Sequence, residues 1–129
     1  MNANEGILEV TWDEAHQKQM NDMVVTNNGK WVFTVSDDRD IKQWDIINKR
    51  LYFNYQMAHD DGILCIIATN DNKYIYTGSK DSTIKYWDIS KQMLVNILQE
   101  HDDKGQITCM SICNNNKTLC AGTSSKRLF

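Results

Sequence analysis

Short apolar runs separated by clusters of polar turn residues extend along most of the chain. The runs are rich in Ile, Tyr and Thr, and none keeps a period of about 3.6 residues long enough to predict a helix. Alternation between apolar and polar positions is weak in runs such as Ile63–Ala68, which is typical of strands buried on both faces. The pattern therefore predicts an all-β chain.

The predicted strands fall into three successive groups. The first group comprises Met20–Thr26, Trp31–Val35, Ile41–Ile46 and Leu51–Tyr55. The second group comprises Ile63–Thr69, Tyr74–Gly78, Thr83–Ile89 and Met93–Leu98. The third group comprises Ile107–Cys113, Thr118–Gly122 and a strand that starts at Lys126.

The strand groups follow an internal repeat. Trp44-Asp45 returns as Trp87-Asp88, 43 residues later, at the end of a similar run. The turn sequences NNGK, NDNK and NNNK keep the same register, and each lies between two apolar runs. Asn and Gly suit such hairpin turns because they tolerate positive φ. A period of about 40–45 residues ending in Trp-Asp indicates one supersecondary unit that stacks on copies of itself.

These residues resemble the WD-repeat β-propeller family over nearly the whole chain. The resemblance implies blades of four antiparallel strands arranged around a central channel. It predicts a partial propeller of three four-stranded blades, the third incomplete. Residues 1–12 are then an N-terminal outer strand centred on Ile7–Thr11, and residues 13–56, 57–99 and 100–129 are the three blades.

The resemblance also implies a structural hydrogen-bond relay of His, Ser or Thr, Asp and Trp within each blade. The indole N–H of Trp can only donate, a hydroxyl can bridge, and a carboxylate can accept from the His ring. In the third unit, which contains His101, Ala121 and Ser125 stand at the hydroxyl and Asp positions. The relay residues of the two complete units are His16, Thr34, Asp38, Trp44, His59, Thr77, Asp81 and Trp87.

Length and charge narrow the class of protein. The 129 residues suffice for one domain with a real core, and a net charge of −3 without long single-sign blocks argues against a nucleic-acid partner. The longest apolar run is Ile63–Ala68, too short for a transmembrane helix, so we expect no membrane partner. The first residues, MNANEGILEV, are unlike a signal peptide. We therefore expect a cytoplasmic, or at least intracellular, protein.

The cysteines and acidic pairs do not predict a metal site or a cofactor. All four cysteines fall in predicted strands, and we expect them to be buried small side chains without disulfides. Cys109 and Cys113 would lie about 13 Å apart in a strand, too far to share one zinc ion. Adjacent carboxylates, as at Asp60 and Asp61, offer too few oxygen ligands for calcium.

The sequence contains no nucleophile elbow, phosphate-binding loop or metal-spaced His/Cys set, so we expect a protein that is not an enzyme. The resemblance implies an interaction scaffold that binds a partner protein or peptide through loops on one rim. Acidic residues dominate those loops, which favours a basic partner. The candidate partner-binding residues are Asp37, Asp60, Asp61, Lys80, Asp102, Asp103, Lys104 and Ser124.

Two other functions remain open from sequence. The segment can be the non-catalytic portion of a larger enzyme or multidomain regulator. It can also be a small-ligand-binding propeller, which requires aromatic and polar groups that converge on a pocket. In every case three blades are fewer than the usual four to eight, so further blades or an oligomeric copy are expected to cover the first and third blades.

Overall fold

Ten β-strands form three antiparallel sheets in the part of the chain that the computed structural model describes, residues 15–98, 105–113, 115–126 and 128. The first sheet contains β1 (Met20–Val25), β2 (Trp31–Ser36), β3 (Ile41–Asp45) and β4 (Arg50–Tyr55). The second contains β5 (Ile63–Ala68), β6 (Tyr74–Ser79), β7 (Ile84–Asp88) and β8 (Met93–Leu98). The third contains β9 (Ile107–Cys113) and β10 (Thr118–Thr123).

Each sheet is a meander in which strands adjacent in sequence are hydrogen-bonded neighbours. The first strand of every sheet has a register shift near its start, between Met20 and Asp22 in β1 and between Ile63 and Cys65 in β5. In the third sheet, the corresponding shift falls where Thr123 pairs with Ile107. The same unit is therefore built three times, and the all-β prediction, with an incomplete third sheet, is confirmed.

The prediction that a strand starts at Lys126 is wrong. Lys126 lies in the bend after β10 and has φ of 67°, a left-handed value that an extended strand does not adopt. Pairing resumes at Leu128, which forms an isolated antiparallel bridge with Gly122. The predicted N-terminal strand Ile7–Thr11 lies outside the described residues.

The hydrophobic cores lie between sheets. Phe33, Ile41 and Tyr55 of the first sheet pack with Ile63, Ile75 and Trp87 of the second. The rings of Tyr55 and Trp87 meet edge to face with centroids 5.6 Å apart. A smaller cluster of Cys65, Ile84, Ile107 and Ala121 joins the second sheet to the third. Each sheet is thus stabilised by burial against its neighbour, as stacked repeats require.

The prediction that all four cysteines are buried is wrong for three of them. Cys65 is buried between the second and third sheets, whereas Cys109, Cys113 and Cys120 are exposed. In the described part of the chain, no further sheet follows the third one and covers these side chains. All four are free thiols.

Candidate functional site

The turn that follows the second strand of each sheet lies at the edge where the first strand begins, because neighbouring strands are antiparallel. We call this edge the His rim; it comprises residues 15–19, 37–40, 56–62, 80–83, 105–106 and 124–126. The amide of Asp37 donates to the carbonyl of Gln19 at 3.0 Å, and Lys80 and Ser124 repeat the bond to Gly62 and Gln106 at 2.9 Å. The backbone of the rim therefore repeats in all three sheets.

The first sheet brings His16, Thr34, Asp38 and Trp44 together. The His16 ring lies 2.8 Å from Asp38 Oδ2 through Nδ1 and 2.7 Å from Thr34 Oγ1 through Nε2. The Trp44 indole N–H donates to the same hydroxyl at 2.9 Å. The indole can only donate, whereas the hydroxyl can both accept and donate, so Thr34 joins the tryptophan to the His16 ring. The contacts thus form a continuous relay from Trp44 through Thr34 and His16 to Asp38.

The second sheet repeats this arrangement with His59, Thr77, Asp81 and Trp87. The distances are 2.9 Å from His59 Nδ1 to Asp81 Oδ2, 2.8 Å from Nε2 to Thr77 Oγ1, and 3.0 Å from the Trp87 nitrogen to that hydroxyl. Asp81 also accepts from the Thr83 hydroxyl at 2.6 Å and from the Asp60 amide at 3.1 Å. The carboxylate therefore joins the tight turn to the loop before β5.

The two relay carboxylates are held in their ionised form. Burial raises the pKa of Asp81, but hydrogen bonds from His59 and Thr83 outweigh it, so the pKa lies below its ordinary value. The pKa of Asp38 is lowered in the same way, with burial opposed by the Asp40 amide and by His16. Both turns thus contain a carboxylate that remains charged near neutral pH.

The third sheet lacks the relay at the positions described. Ala121 occupies the hydroxyl position and is almost fully buried, and Ser125 occupies the Asp position, where its hydroxyl lies 2.7 Å from Thr123 Oγ1. His101 lies outside the described residues.

Two of the candidate partner-binding residues pair with each other across the first two sheets. Lys80 Nζ lies 3.0 Å from Asp37 Oδ1, and the side-chain amide of Asn21 donates to the same oxygen at 2.9 Å. These contacts, with the hydrogen bond from Asn21 first, hold the pKa of Asp37 below its ordinary value. Asn21 also donates to the carbonyl of Ile63 at 2.8 Å. Spacing within a repeat does not predict this link, because its members belong to different repeats.

The other candidate residues differ in accessibility. Asp60, Asp61 and Ser124 are exposed on the His rim. Asp61 Oδ1 accepts from the Gly62 amide at 2.6 Å, and the Ser124 hydroxyl accepts from the Gln106 amide at 2.9 Å. Asp102, Asp103 and Lys104 lie outside the described residues.

The opposite edge, which we call the Asn rim, contains the turns at residues 26–30, 69–73 and 115–117. The side-chain oxygen of Asn72 accepts from the Asn28 amide at 3.1 Å, and that of Asn116 accepts from the Asn70 amide at 3.1 Å. Both side chains therefore reach back to the preceding sheet. Sequence analysis identified these asparagines only as turn residues.

A cleft of about 260 Å³ lies beside the Asn rim between the first two sheets. Its aromatic wall is formed by Trp31 and Tyr52, whose ring centroids are 4.5 Å apart. The buried Gln43 contributes to the lining, and its Oε1 accepts from the Tyr55 hydroxyl at 3.0 Å. The second sheet has Tyr74, Tyr86 and Val95 at the corresponding positions, so the residues that form this cleft are not repeated there.

The described residues contain neither a cluster suited to a metal ion nor a helix suited to span a membrane. No group of three or more His, Cys, Asp or Glu side chains in this part of the chain is placed to hold a metal ion. No helix in it is long and apolar enough to cross a membrane.

The comparisons with known proteins agree on the fold. The family model described as WD40, "WD domain, G-beta repeat", matches residues 8–45, 51–88 and 92–129. No curated protein matches the sequence. Two similar solved structures, "Crystal structure of RRP9 WD40 repeats" and "Structure of U3-55K", each have a TM-score of 0.77 at 20% identity and cover 84% of this chain. The chain spans 33% and 34% of their respective lengths, and at this identity the likeness shows the fold alone.

Proposed function

Because the chain belongs to the WD40 repeat family, we propose that it is an interaction scaffold that binds a partner protein or peptide through the His rim. The observation that carries the proposal is the exposed carboxylate pair Asp60 and Asp61. The pair lies on a loop whose backbone is held by a hydrogen bond from the Asp60 amide to the Asp81 carboxylate. In a repeat scaffold, binding depends on surface residues that vary between units. The loops of the His rim contain such residues.

The charges of the rim favour a basic partner. Asp37 is neutralised by Lys80, and the relay carboxylates Asp38 and Asp81 accept hydrogen bonds from histidines. Asp60 and Asp61 remain exposed to solvent without a cation in contact among the described residues. A Lys or Arg side chain of a partner is complementary to this pair.

The loop that presents Asp60 and Asp61 is preorganised. The Asp60 amide donates to Asp81 at 3.1 Å, and Lys85 Nζ donates to the Ala58 carbonyl at 2.8 Å. The neighbouring Ser79 hydroxyl donates to the Gly62 carbonyl at 2.8 Å. A loop held in this way loses little conformational entropy when a partner binds, which favours affinity.

The test is selection from a library of synthetic peptides that differ in the number and position of Lys and Arg, followed by fluorescence anisotropy. Asp60→Asn with Asp61→Asn should weaken binding of the selected basic peptides by about tenfold, or about 1.4 kcal/mol. The matched control is Ile47→Lys with Ser90→Lys, which makes the same change in net charge at the Asn rim and should leave affinity unchanged. Selection of peptides without basic residues, or equal affinity in the double Asn variant, would refute the proposal.

We propose no catalytic role for the relay. Both ring nitrogens of His16 and His59 are engaged by hydrogen bonds within the sheet, so neither ring has a free nitrogen for acid–base chemistry. The four free thiols support a reducing, intracellular setting.

The cleft at Trp31 favours a second candidate function, the binding of a small ligand with one apolar face. Its wall offers aromatic rings, and Asn28, Asn72 and Gln43 offer amide groups around them. Saturation-transfer NMR with a panel of mono- and disaccharides tests this function. Transfer that is lost in Tyr52→Ala would support it, and no transfer from any sugar in the panel would count against it.

A further inference from the structure

Two kinds of sheet face meet at the interface between the first two blades. The forward face of the first blade, which contacts the next blade, includes Phe33, Val35, Ile41 and Tyr55. The rear face of the second blade, which contacts the preceding one, is buried at every position; its residues are Ala58, Ile63, Ile66, Ile75, Thr77 and Trp87. Each internal interface therefore joins a forward face to a rear face.

The rear face of the first blade is open among the described residues. It lines an apolar recess of about 250 Å³ with residues that lie 43 positions before the buried set, namely Ala15, Met20, Met23, Val32, Thr34 and Trp44. Met20 is 41% exposed and Met23 is 51% exposed, whereas the equivalent Ile63 and Ile66 are 0% and 3% exposed. In the second blade, the equivalent surface is covered by the preceding blade.

The forward face of the third blade is open as well. Cys109, Ser111, Cys120, Gly122 and Leu128 contribute to the lining of an apolar recess of about 280 Å³. Leu128 corresponds to Ile84, which is buried between the second and third blades. Among the described residues, neither recess has a charged side chain in its lining.

The interface between the second and third blades shows how the two open faces fit. A Cβ on Gly78 would lie 2.5 Å from Ile107 Cγ2, so the missing side chain of Gly78 makes room for Ile107. Gly122 has the position of Gly78 in the third blade, and Met20 has the position of Ile107 in the first. Among the described residues, a Cβ on Gly122 would meet the Cys109 sulfur at 2.7 Å and no side chain of another blade, so the space beside this glycine can receive a longer side chain such as Met20.

We propose that two copies of this chain associate head to tail, with the rear face of the first blade in one copy packed on the forward face of the third blade in the other. One chain has both complementary faces, so two copies can meet through the same kinds of face that join its own blades. Rear face on rear face would bring methionine against methionine without a glycine opposite. In the proposed arrangement, the interface between copies joins a forward face to a rear face, as each interface within the chain does.

The test is light scattering on purified residues 1–129 under reducing conditions, with two variants that each block one face. The wild type should have a mass of about 30 kDa, twice the 15.0 kDa of the chain. Met20→Lys and Cys120→Lys should each be monomers, because each lacks one half of the interface. An equimolar mixture of the two should recover a dimer through the one intact pair of faces. Ile47→Lys, 72% exposed and outside both faces, is the control and should remain a dimer.

Several outcomes would overturn the proposal. A wild-type monomer would show that no second copy occupies the recess, and a mixture that stays monomeric would exclude the head-to-tail mode. A Cys120→Lys variant that stays dimeric while Met20→Lys does not would indicate an interface of two rear faces. Circular dichroism of each variant establishes that loss of mass is not loss of fold. Association does not depend on the His rim, so Asp60→Asn with Asp61→Asn should leave the mass unchanged.

Discussion

At the scale of single residues, the relay is a chain of hydrogen bonds that starts at an indole nitrogen. The Trp87 indole donates to the Thr77 hydroxyl, which lies 2.8 Å from His59 Nε2, and His59 Nδ1 lies 2.9 Å from Asp81 Oδ2. The interior members are buried, so the loss of an acceptor leaves a donor without a partner and without water. We propose that the relay fixes the geometry of the blade.

Asp81→Ala is expected to lower the free energy of unfolding by about 1–3 kcal/mol, because the buried His59 loses its acceptor. Ser125→Ala, at the equivalent position of the third blade, should have a smaller effect, since the side chain is exposed and Ala121 replaces the relay hydroxyl in that blade. Thermal melts of the two variants and the wild type give the ranking. The reverse order would show that the register of the relay is wrong.

The lowered pKa of Asp81 predicts acid sensitivity. Its contribution to the free energy of unfolding is complete above its ordinary pKa of about 3.9 and is lost as the pH falls from there toward the lowered folded-state value. Asp81→Asn removes this titration and keeps the shape of the side chain. Melting temperatures measured from about pH 6 to pH 2 should therefore fall less steeply in the variant than in the wild type. Parallel curves would rule out a titrating Asp81.

Sequence reasoning found the contacts that lie within one repeat better than those that join two repeats. The spacing from His16 to Trp44 carries all four relay members, which come together in one sheet. The pair of Asp37 with Lys80 depends on how two blades pack, which no spacing within a unit contains. Whether Cys109 and Cys120 are exposed depends in the same way on whether another blade packs against the third one.

At the scale of strands and turns, the sequence predicted all ten strands to within one residue at each end. Periodicity and turn residues are sufficient for this because each hairpin is local. The sequence did not reveal the contacts that Asn72 and Asn116 make to the preceding blade. An asparagine is expected in such a turn whether or not its side chain also bonds to a neighbouring blade.

The turn of the first blade gives a prediction at this scale. Gly29 has φ of 71° with open space around the site of a Cβ, and the equivalent Asn72 and Asn116 have φ of 62° and 70°. Gly29→Val should lower the free energy of unfolding by about 1–2 kcal/mol, because a β-branched residue is strained there. Gly29→Asn should be nearly neutral, since Asn tolerates this region. Urea unfolding of both variants is the measurement, and equal losses would contradict the argument.

At the scale of the whole molecule, the repeats form a linear array whose cores lie between neighbours and whose ends are apolar. The stability of such an array is a sum over units and interfaces, so an uncovered end lowers the stability of the terminal blade. The third blade has two described strands and no relay contact among them.

Thiol reactivity follows from this arrangement. Burial raises the pKa of the Cys65 thiol to about 12, and it should react with a disulfide reagent only when the chain unfolds. Cys109, Cys113 and Cys120 are exposed and should react in the native monomer. Dimerisation as proposed should slow Cys109 and Cys120. Stopped-flow measurement of the number of thiols that react, at low and at high protein concentration, checks this prediction. Rapid reaction of Cys65 would contradict its burial.

The edge-to-face contact between Tyr55 and Trp87 gives the molecule an internal optical reporter. The tyrosine belongs to one blade and the indole to the next, so the emission of Trp87 depends on whether the two blades touch rather than on whether either sheet is intact. In a chain whose other three tryptophans are replaced by phenylalanine, its fluorescence would change when blades separate, while far-ultraviolet dichroism would change when strands melt. A denaturation experiment that records both signals would then show whether the propeller loses its blades singly or collapses at once.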